Sequence, residues 1–295
     1  MTDDRVQKDS QGLLPPLSWT WPGVTLRFPP ALPYICGILN VTPDSFSDGG
    51  SYGSAEDAAA RALEMAKEGA HIVDVGGQST RPGFEPVPLQ EEEERVLPVL
   101  AMLAERLGGK GRKTLISIDT DKPALAEKVF SLGLADILND ESGGDISMAR
   151  IAAKYGAPLI LMHRPLALGR GSLACVVEDL LSLARQYTEA GLPAECIALD
   201  PGLGFGKTEG ENLSLLSNCR LLLNMGSPLY IGASRKGFIG KASGNPEASR
   251  RLAGSLAAAL WAAQAGAAFV RVHDVRETAE AFATMAALRN ALMLQ

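Results

Sequence analysis

The sequence predicts an α/β chain folded as a (β/α)8 TIM barrel, one domain over residues 34–295 preceded by an N-terminal extension over residues 1–33. Two patterns carry that expectation. From residue 34 onward, short apolar runs alternate strictly with helical patterns, as parallel strands joined by helical crossovers do. Each apolar run ends in polar residues before the next helix opens, and in a barrel those ends converge on one face. The competing architecture is an open doubly wound sheet. It would usually carry a glycine-rich dinucleotide fingerprint after its first strand, where this chain reads Asn-Val-Thr-Pro-Asp-Ser-Phe (40–46).

Taken in order, residues 1–18 are polar, then proline-rich, and read as loosely draped chain. Residues 19–33 hold Trp19, Trp21, Phe28 and several prolines; a short hairpin covering one end of the domain and a simple linker both fit. Strands are expected at 34–39, 71–76, 114–119, 135–139, 158–162, 196–200, 229–233 and 268–272. Helices are expected at 54–68, 89–107, 121–132, 147–155, 173–190, 212–224, 247–265 and 277–292. The first helix has an N-cap in Ser54 and a stop at Gly69. The second is acidic at its start, as the helix dipole favours, and closes at Gly108. Its Glu91 to Glu94 run reads as a solvated helix start rather than a metal cluster. Residues 252–270 approach the length of a membrane span, with only Ser255 and Gln264 as polar side chains. They are mostly Ala and Gly, broken at Gly266, which favours a buried helix leading into a strand.

Composition narrows the function. The net charge is −6 with no basic stripe, which argues against nucleic acid as the main partner. The start of the chain, with Asp3 and Asp4, has no apolar core and reads as cytoplasmic. Cys36, Cys175, Cys196 and Cys219 lie scattered without a CxxC and read as reduced thiols. His71, His163 and His273 form no local ligand pair, so a structural metal is not expected.

The strand ends read Asn40; Asp74 with the 76–83 loop; Asp119; Asn139-Asp140; Met162-His163; Asp200-Pro201-Gly202; Ser234-Arg235-Lys236; and Arg271 with His273. Any one such Asp can be the N-cap of the next helix, and for Asp119 that alternative stands beside the functional one. Asp119, Asn139 and Asp200 are acceptors that suit a ligand rich in N–H donors, such as a guanidine-like or pterin edge. Arg81, Arg271 and His273 are donors that suit a phosphate or diphosphate. Arg271 and His273 stand two apart, hence on one face of their strand, and Lys236 can bridge the two regions. The pattern points to a two-part substrate with an anionic group. Gly-Phe-Gly-Lys-Thr (204–208) lacks the first glycine of a phosphate-binding P-loop, because position 201 is Pro.

Assembled, these motifs resemble those of the dihydropteroate synthases over about residues 34–293. They are Gly-Ile-Leu-Asn-Val-Thr-Pro-Asp-Ser-Phe-Ser-Asp-Gly-Gly (37–50), Ser-Thr-Arg-Pro-Gly (79–83), Ile-Ser-Ile-Asp-Thr (116–120), Asn-Asp (139–140), Asp-Pro-Gly-Leu-Gly-Phe-Gly-Lys (200–207), Ser-Arg-Lys (234–236) and Arg-Val-His-Asp (271–274). The resemblance implies condensation of 6-hydroxymethyl-7,8-dihydropterin diphosphate with 4-aminobenzoate, with Mg2+, in a homodimeric barrel. It implies that Asp119, Asn139, Met162, Asp200 and Lys236 hold the pterin. Asn40, Arg81, Arg271 and His273 would hold the diphosphate, Asn40 through Mg2+, and Thr80, Arg81, Pro82, Phe205 and Ser234 the aminobenzoate. Asp119, Lys236, Arg271 and His273 are the catalytic candidates. Three positions depart from the family pattern: residues 164–171 replace Met-Gln-Gly and a longer loop, Gln78 replaces Glu, and Gly237 replaces Ser. The alternatives are a pterin-dependent methyltransferase and a pterin-binding paralogue without turnover.

Overall fold

Eight parallel strands curl until the last meets the first. The computed structural model describes residues 17–42, 55–78, 86–108, 113–165 and 169–292. The barrel strands are β3 (Tyr34–Asn40), β4 (Ile72–Gly76), β5 (Leu115–Thr120), β6 (Ile137–Asp140), β7 (Leu159–Met162), β8 (Ile197–Asp200), β9 (Tyr230–Ile231) and β10 (Phe269–Val272). Their order is β8-β7-β6-β5-β4-β3-β10-β9, and a parallel bridge from Leu199 to Leu229 closes β8 onto β9. Ahead of them, β1 (Leu17–Trp21) and β2 (Val24–Phe28) pair as an antiparallel hairpin.

The hairpin lies against the N-terminal end of the barrel. Trp19, Leu26 and Phe28 pack on the first residues of the strands, among them Ile72, Leu115, Ile137 and Phe269. Trp19 stacks on Phe269 with ring centroids 5.6 Å apart, and its indole N–H donates to the Glu195 carbonyl at 2.7 Å. That end is thereby sealed with aromatic side chains, and the opposite end is left for polar work.

The helices wrap the outside: α1 (Ala55–Glu68), α2 (Leu89–Leu107), α3 (Pro123–Ser131), α4 (Ile146–Tyr155), α5 (Leu173–Glu189), α6 (Glu209–Ser217), α7 (Cys219–Leu222), α8 (Gly237–Ser243), α9 (Leu252–Ala265) and α10 (Val275–Leu292). Their apolar faces meet the outward-facing strand residues in a continuous second core. Local signals set several boundaries. Asp145 caps α4 by accepting from Ser147 N–H, and Thr208 and Glu211 form a reciprocal capping box at the start of α6.

Several expected elements come out differently. The stretch expected as one helix over 212–224 is α6, which the capping box starts earlier, followed by the short α7. The turn of helix α8 was not expected, because glycines at 237 and 240 mask its pattern. The helix expected from 247 begins as a 3-10 turn, and α9 proper starts at Leu252. Glu92, read as part of a solvated run, is fully buried. It pairs with Lys122 at 2.5 Å and accepts from the Thr120 hydroxyl at 3.0 Å, so it ties α2 to the end of β5. Ser54, expected to cap α1, lies outside the described residues. No helix among the described residues is long and apolar enough to cross a membrane.

Candidate active site

Register brings the polar strand ends to one level. Asn40 is the partner of Gly76, Gly76 of Asp119, and Asp119 of Asn139, so these four positions run side by side around the mouth of the barrel. Gly76 leaves room there, since a Cβ would stand 3.3 Å from the Asp119 carboxylate. Above them opens a cavity of about 460 Å3, walled by Asn139, Met162, Asp200, Lys236, Arg271 and His273 among others.

Arg271 is the centre of the charge arrangement. Its Nε donates to Asp74 at 2.7 Å and its Nη2 to Asp119 at 2.5 Å. Nη1 makes no hydrogen bond among the described residues, so the guanidinium is held rigidly with one nitrogen to spare. Asp119 is therefore a partner of Arg271 and not a helix cap, because the N-cap position of α3 is Lys122 and no side chain caps the helix. Burial pushes the Asp119 carboxyl well up, Glu141 and Asp74 add to it, and Arg271 pulls it back. Burial works to lower the Arg271 pKa, but the carboxylates of Asp119 and Asp74 hold it well above its ordinary value. Asp74, which carries no role in the sequence reading, also accepts from Asn139 Nδ2 at 3.0 Å. That bond orients the Asn139 amide, leaving its oxygen as an acceptor. One oxygen each of Asp74 and Asp119 is buried without a partner among the described residues.

Asp200 and Lys236 stand across the cavity. The amide of Gly202 donates to Asp200 Oδ1 at 2.7 Å, leaving Oδ2 as an acceptor. Burial raises the Asp200 carboxyl, against the pull of Gly202 N–H, Lys236 and Lys207. Gly202 sits at φ +65°, and a Cβ there would fall 2.0 Å from the His163 carbonyl, so only glycine makes the turn. Lys207 fastens this loop by donating to the carbonyls of Gly202, His163 and Phe205 at 2.7, 3.2 and 3.2 Å. Burial lowers its pKa to about 8. This lysine staples loop backbone, which accounts for the apparent P-loop fragment.

Lys236 is aimed by strain. Arg235 adopts φ +57°, a conformation side chains rarely take. It is held there by Asp274, by its N–H to Ser255 Oγ at 2.9 Å, and by Arg251 on its carbonyl at 2.8 Å. The turn sends Arg235 outward to Asp274 and Lys236 inward over the Phe205 ring, 4.1 Å from its centroid. Ser234 Oγ accepts from His273 N–H at 3.2 Å and lies 3.0 Å from His273 Nδ1. With the Ser234 hydroxyl donating to Nδ1, the ring proton would stand on Nε2, the tautomer that can donate to an anion.

Asn40 lines the cavity beside these groups, half-buried. Met162 is buried at the end of β7. Thr80, Arg81 and Pro82 lie outside the described residues. One further group of the wall escapes the sequence reading, Glu141, and Asp74, named there only as a strand end, proves to be the anchor of Arg271 and Asn139. Glu141 follows Asn139 by two residues, so strand alternation from Asn139 was the signal available for it. His163, by contrast, turns away from the cavity, with Nε2 3.1 Å from Asp179, which also pairs with Arg170. These contacts tie His163 and Arg170 to α5 on either side of residues 166–168, which are outside the described set.

A closed parallel barrel whose mouth sets buried acceptors beside a fixed guanidinium defines an enzyme with a donor-seeking wall and an anion-seeking wall. The model of the pterin binding enzyme family matches residues 36–273, and the chain belongs to that family. Dihydropteroate synthase of Bacillus subtilis (strain 168) is 41% identical over 270 residues, covering 89% of this chain and 92% of the relative. A solved Xanthomonas albilineans dihydropteroate synthase with 4-aminobenzoic acid superposes with a TM-score of 0.82 at 37% identity, covering 90% of this chain and 95% of that one. The same enzyme in complex with 7,8-dihydropteroate superposes with a TM-score of 0.79 at 36% identity, covering 88% and 94%. Within the family the chain falls with the dihydropteroate synthases, transferases of folate synthesis, and not with the methyltransferases.

Proposed function

We propose that this chain joins 4-aminobenzoate to 6-hydroxymethyl-7,8-dihydropterin diphosphate, forming 7,8-dihydropteroate and releasing diphosphate. The observation that carries the reading is the placement of Arg271. It is clamped by Asp74 and Asp119, which leaves its spare nitrogen available to an anion. The free oxygens of Asp200 and Asn139 suit the N–H donors of the pterin ring, with Lys236 opposite them and Met162 as an apolar packing surface. Asn40, Arg81, Arg271 and His273 suit the diphosphate. For the aminobenzoate side the reading takes Phe205 and Ser234, which line the cavity, and, from the sequence motif alone, Thr80, Arg81 and Pro82.

Mg2+ fits this layout as an ion that comes with its phosphate. Among the described residues no cluster of three His, Cys, Asp or Glu side chains offers it a cage. The amide oxygen of Asn40 at the cavity wall is the kind of single protein ligand Mg2+ accepts when substrate phosphates and water fill its other positions. When bound it would neutralise charge on the leaving diphosphate.

The residues then support a dissociative displacement. The C–O bond to diphosphate breaks and positive charge spreads from the methylene into the ring. The carboxylates of Asp119 and Asp200 face that charge in a buried site, where electrostatic stabilisation is strong. Arg271 and the Nε2–H of His273 hold the departing anion. The arylamine nitrogen attacks the methylene, the C–N bond forms, and its proton is lost to solvent. No protein nucleophile is required. We further place the enzyme in the cytoplasm, in keeping with four free cysteines, and infer from the family resemblance alone that it is a homodimer.

Diphosphate release by the purified chain, with the pterin diphosphate, 4-aminobenzoate and Mg2+ each omitted in turn, tests the reading. Release that needs all three, with dihydropteroate as product, is expected. Pterin binding without release overturns it in favour of a paralogue without turnover.

A further inference from the structure

The strand that carries Asn139 reaches one step further into the cavity. Residues two apart on an extended strand share a face. Asp140 points outward, where Tyr187 donates to its Oδ2 at 2.6 Å, and Glu141 returns to the side of Asn139. Its backbone is fixed on both sides. Glu141 N–H donates to the Thr120 carbonyl at 3.2 Å, and its own carbonyl accepts from Arg164 Nη1 at 3.1 Å.

Glu141 is only 4% exposed, yet among the described residues its carboxylate receives no hydrogen bond and no ion pair. Unlike the sealed partnerless oxygens of Asp74 and Asp119, those of Glu141 open on the cavity; burial still raises its carboxyl, a cost that a partner in the cavity relieves. Of the nearby carboxylates it acts most strongly on the Lys236 ammonium, ahead of Asp200 and Asp119. No ion pair joins the two among the described residues, and the acceptor and the donor line the same cavity. Asp119, whose carboxyl Glu141 raises more than any other neighbouring charge does, is already committed through one oxygen to Arg271.

We propose that Glu141 is a further substrate-binding residue of this site, accepting a hydrogen bond from an N–H of the bicyclic heterocycle. The inference rests on the reading of the cavity as a dihydropterin site. That ring offers N–H donors on its amino group and on ring nitrogens, and Glu141 adds an acceptor to those of Asp200 and Asn139.

The test is calorimetric titration of 6-hydroxymethyl-7,8-dihydropterin into the intact chain and its Glu141→Leu, Glu141→Gln and Asp200→Ala variants. Inorganic diphosphate is titrated in parallel, and melting curves check folding. Loss of a hydrogen bond to a charged group predicts that Glu141→Leu weakens pterin binding roughly tenfold or more. Glu141→Gln, which keeps a neutral acceptor, loses less, and diphosphate affinity is unchanged in both. Pterin affinity equal to that of the unaltered chain in Glu141→Leu overturns the proposal, as does an equal loss for pterin and diphosphate. Should Glu141→Leu not fold, Glu141→Gln decides, with undiminished pterin affinity overturning the proposal. If Asp200→Ala loses the ligand while the Glu141 variants keep it, the inference alone falls. If the unaltered chain takes up no dihydropterin, the pterin reading falls with it.

Discussion

Single side chains divide the labour between the two walls of the cavity, and the division is measurable. Asp200 keeps one oxygen on Gly202 N–H and offers the other to the cavity. Asp200→Ala should abolish measurable binding of a dihydropterin without diphosphate, read by calorimetry, since it removes the acceptor from a buried wall. Arg271→Ala should weaken a pterin diphosphate far more than the pterin alone; equal losses would move Arg271 out of the anion site. The variant also leaves Asp74 and Asp119 without their cation, and removing one partner of a buried pair costs about 3–5 kcal/mol, so its stability should fall too. Asp140 lies behind the site and acts on stability alone. Burial raises its carboxyl to about 6, against hydrogen bonds from Ser142 and Tyr187. A raised carboxyl holds its proton more tightly folded than unfolded. Its contribution is therefore full below about pH 4, the unfolded value, and is lost as pH rises through about 6. Denaturant unfolding between those values should show this slope, and Asp140→Asn should flatten it.

Elements supply what the side chains cannot arrange for themselves. The 234–236 turn holds a strained Arg235, which donates to Ser255 and Asp274 and accepts from Arg251, and the return is a lysine placed over Phe205. The β1–β2 hairpin has no part in the chemistry, because it closes the end of the barrel away from the site. Trp19 is 3% exposed and stacks on Phe269. Trp19→Ala should cost about 3–5 kcal/mol in denaturant unfolding, as large aromatic truncations in cores do. The KM for either substrate should stay unchanged, and a shifted KM would show that the hairpin communicates with the site. Element types were the most legible part of the sequence, because strand and helix periods are local. The capping box that starts α6 early also lay in local sequence, as Thr208 and Glu211. The short α8 did not, since its packing against neighbours, rather than its glycine-containing pattern, makes it helical.

At the scale of the whole molecule, closure of the barrel turns residues far apart in the chain into one site. Arg271 reaches Asp74 and Asp119 across sequence separations of 197 and 152 residues. The walls serve different halves of the substrate, so a metal that comes with phosphate should matter to one half only. Chelation of divalent ions should weaken binding of the pterin diphosphate and leave binding of the dihydropterin itself intact. Calorimetry with and without chelator checks this, and an equal effect on both ligands would place the metal elsewhere.

Sequence by itself determined the alternation of strands and helices, the barrel class, and the polar strand ends from Asn40 to His273. Those follow from periods of two and of 3.6 and from residue chemistry, which need no partner to be read. Tertiary structure alone decided which acceptors remain available. Strand register placed Asp119 beside Asn139, and the reach of Arg271 across the barrel bound Asp74 and Asp119 together. It also decided that Glu92 is an internal anchor and that Glu141 belongs to the cavity wall. A charge in a local pattern looks solvated until the fold removes the water around it, and only packing between distant segments does that.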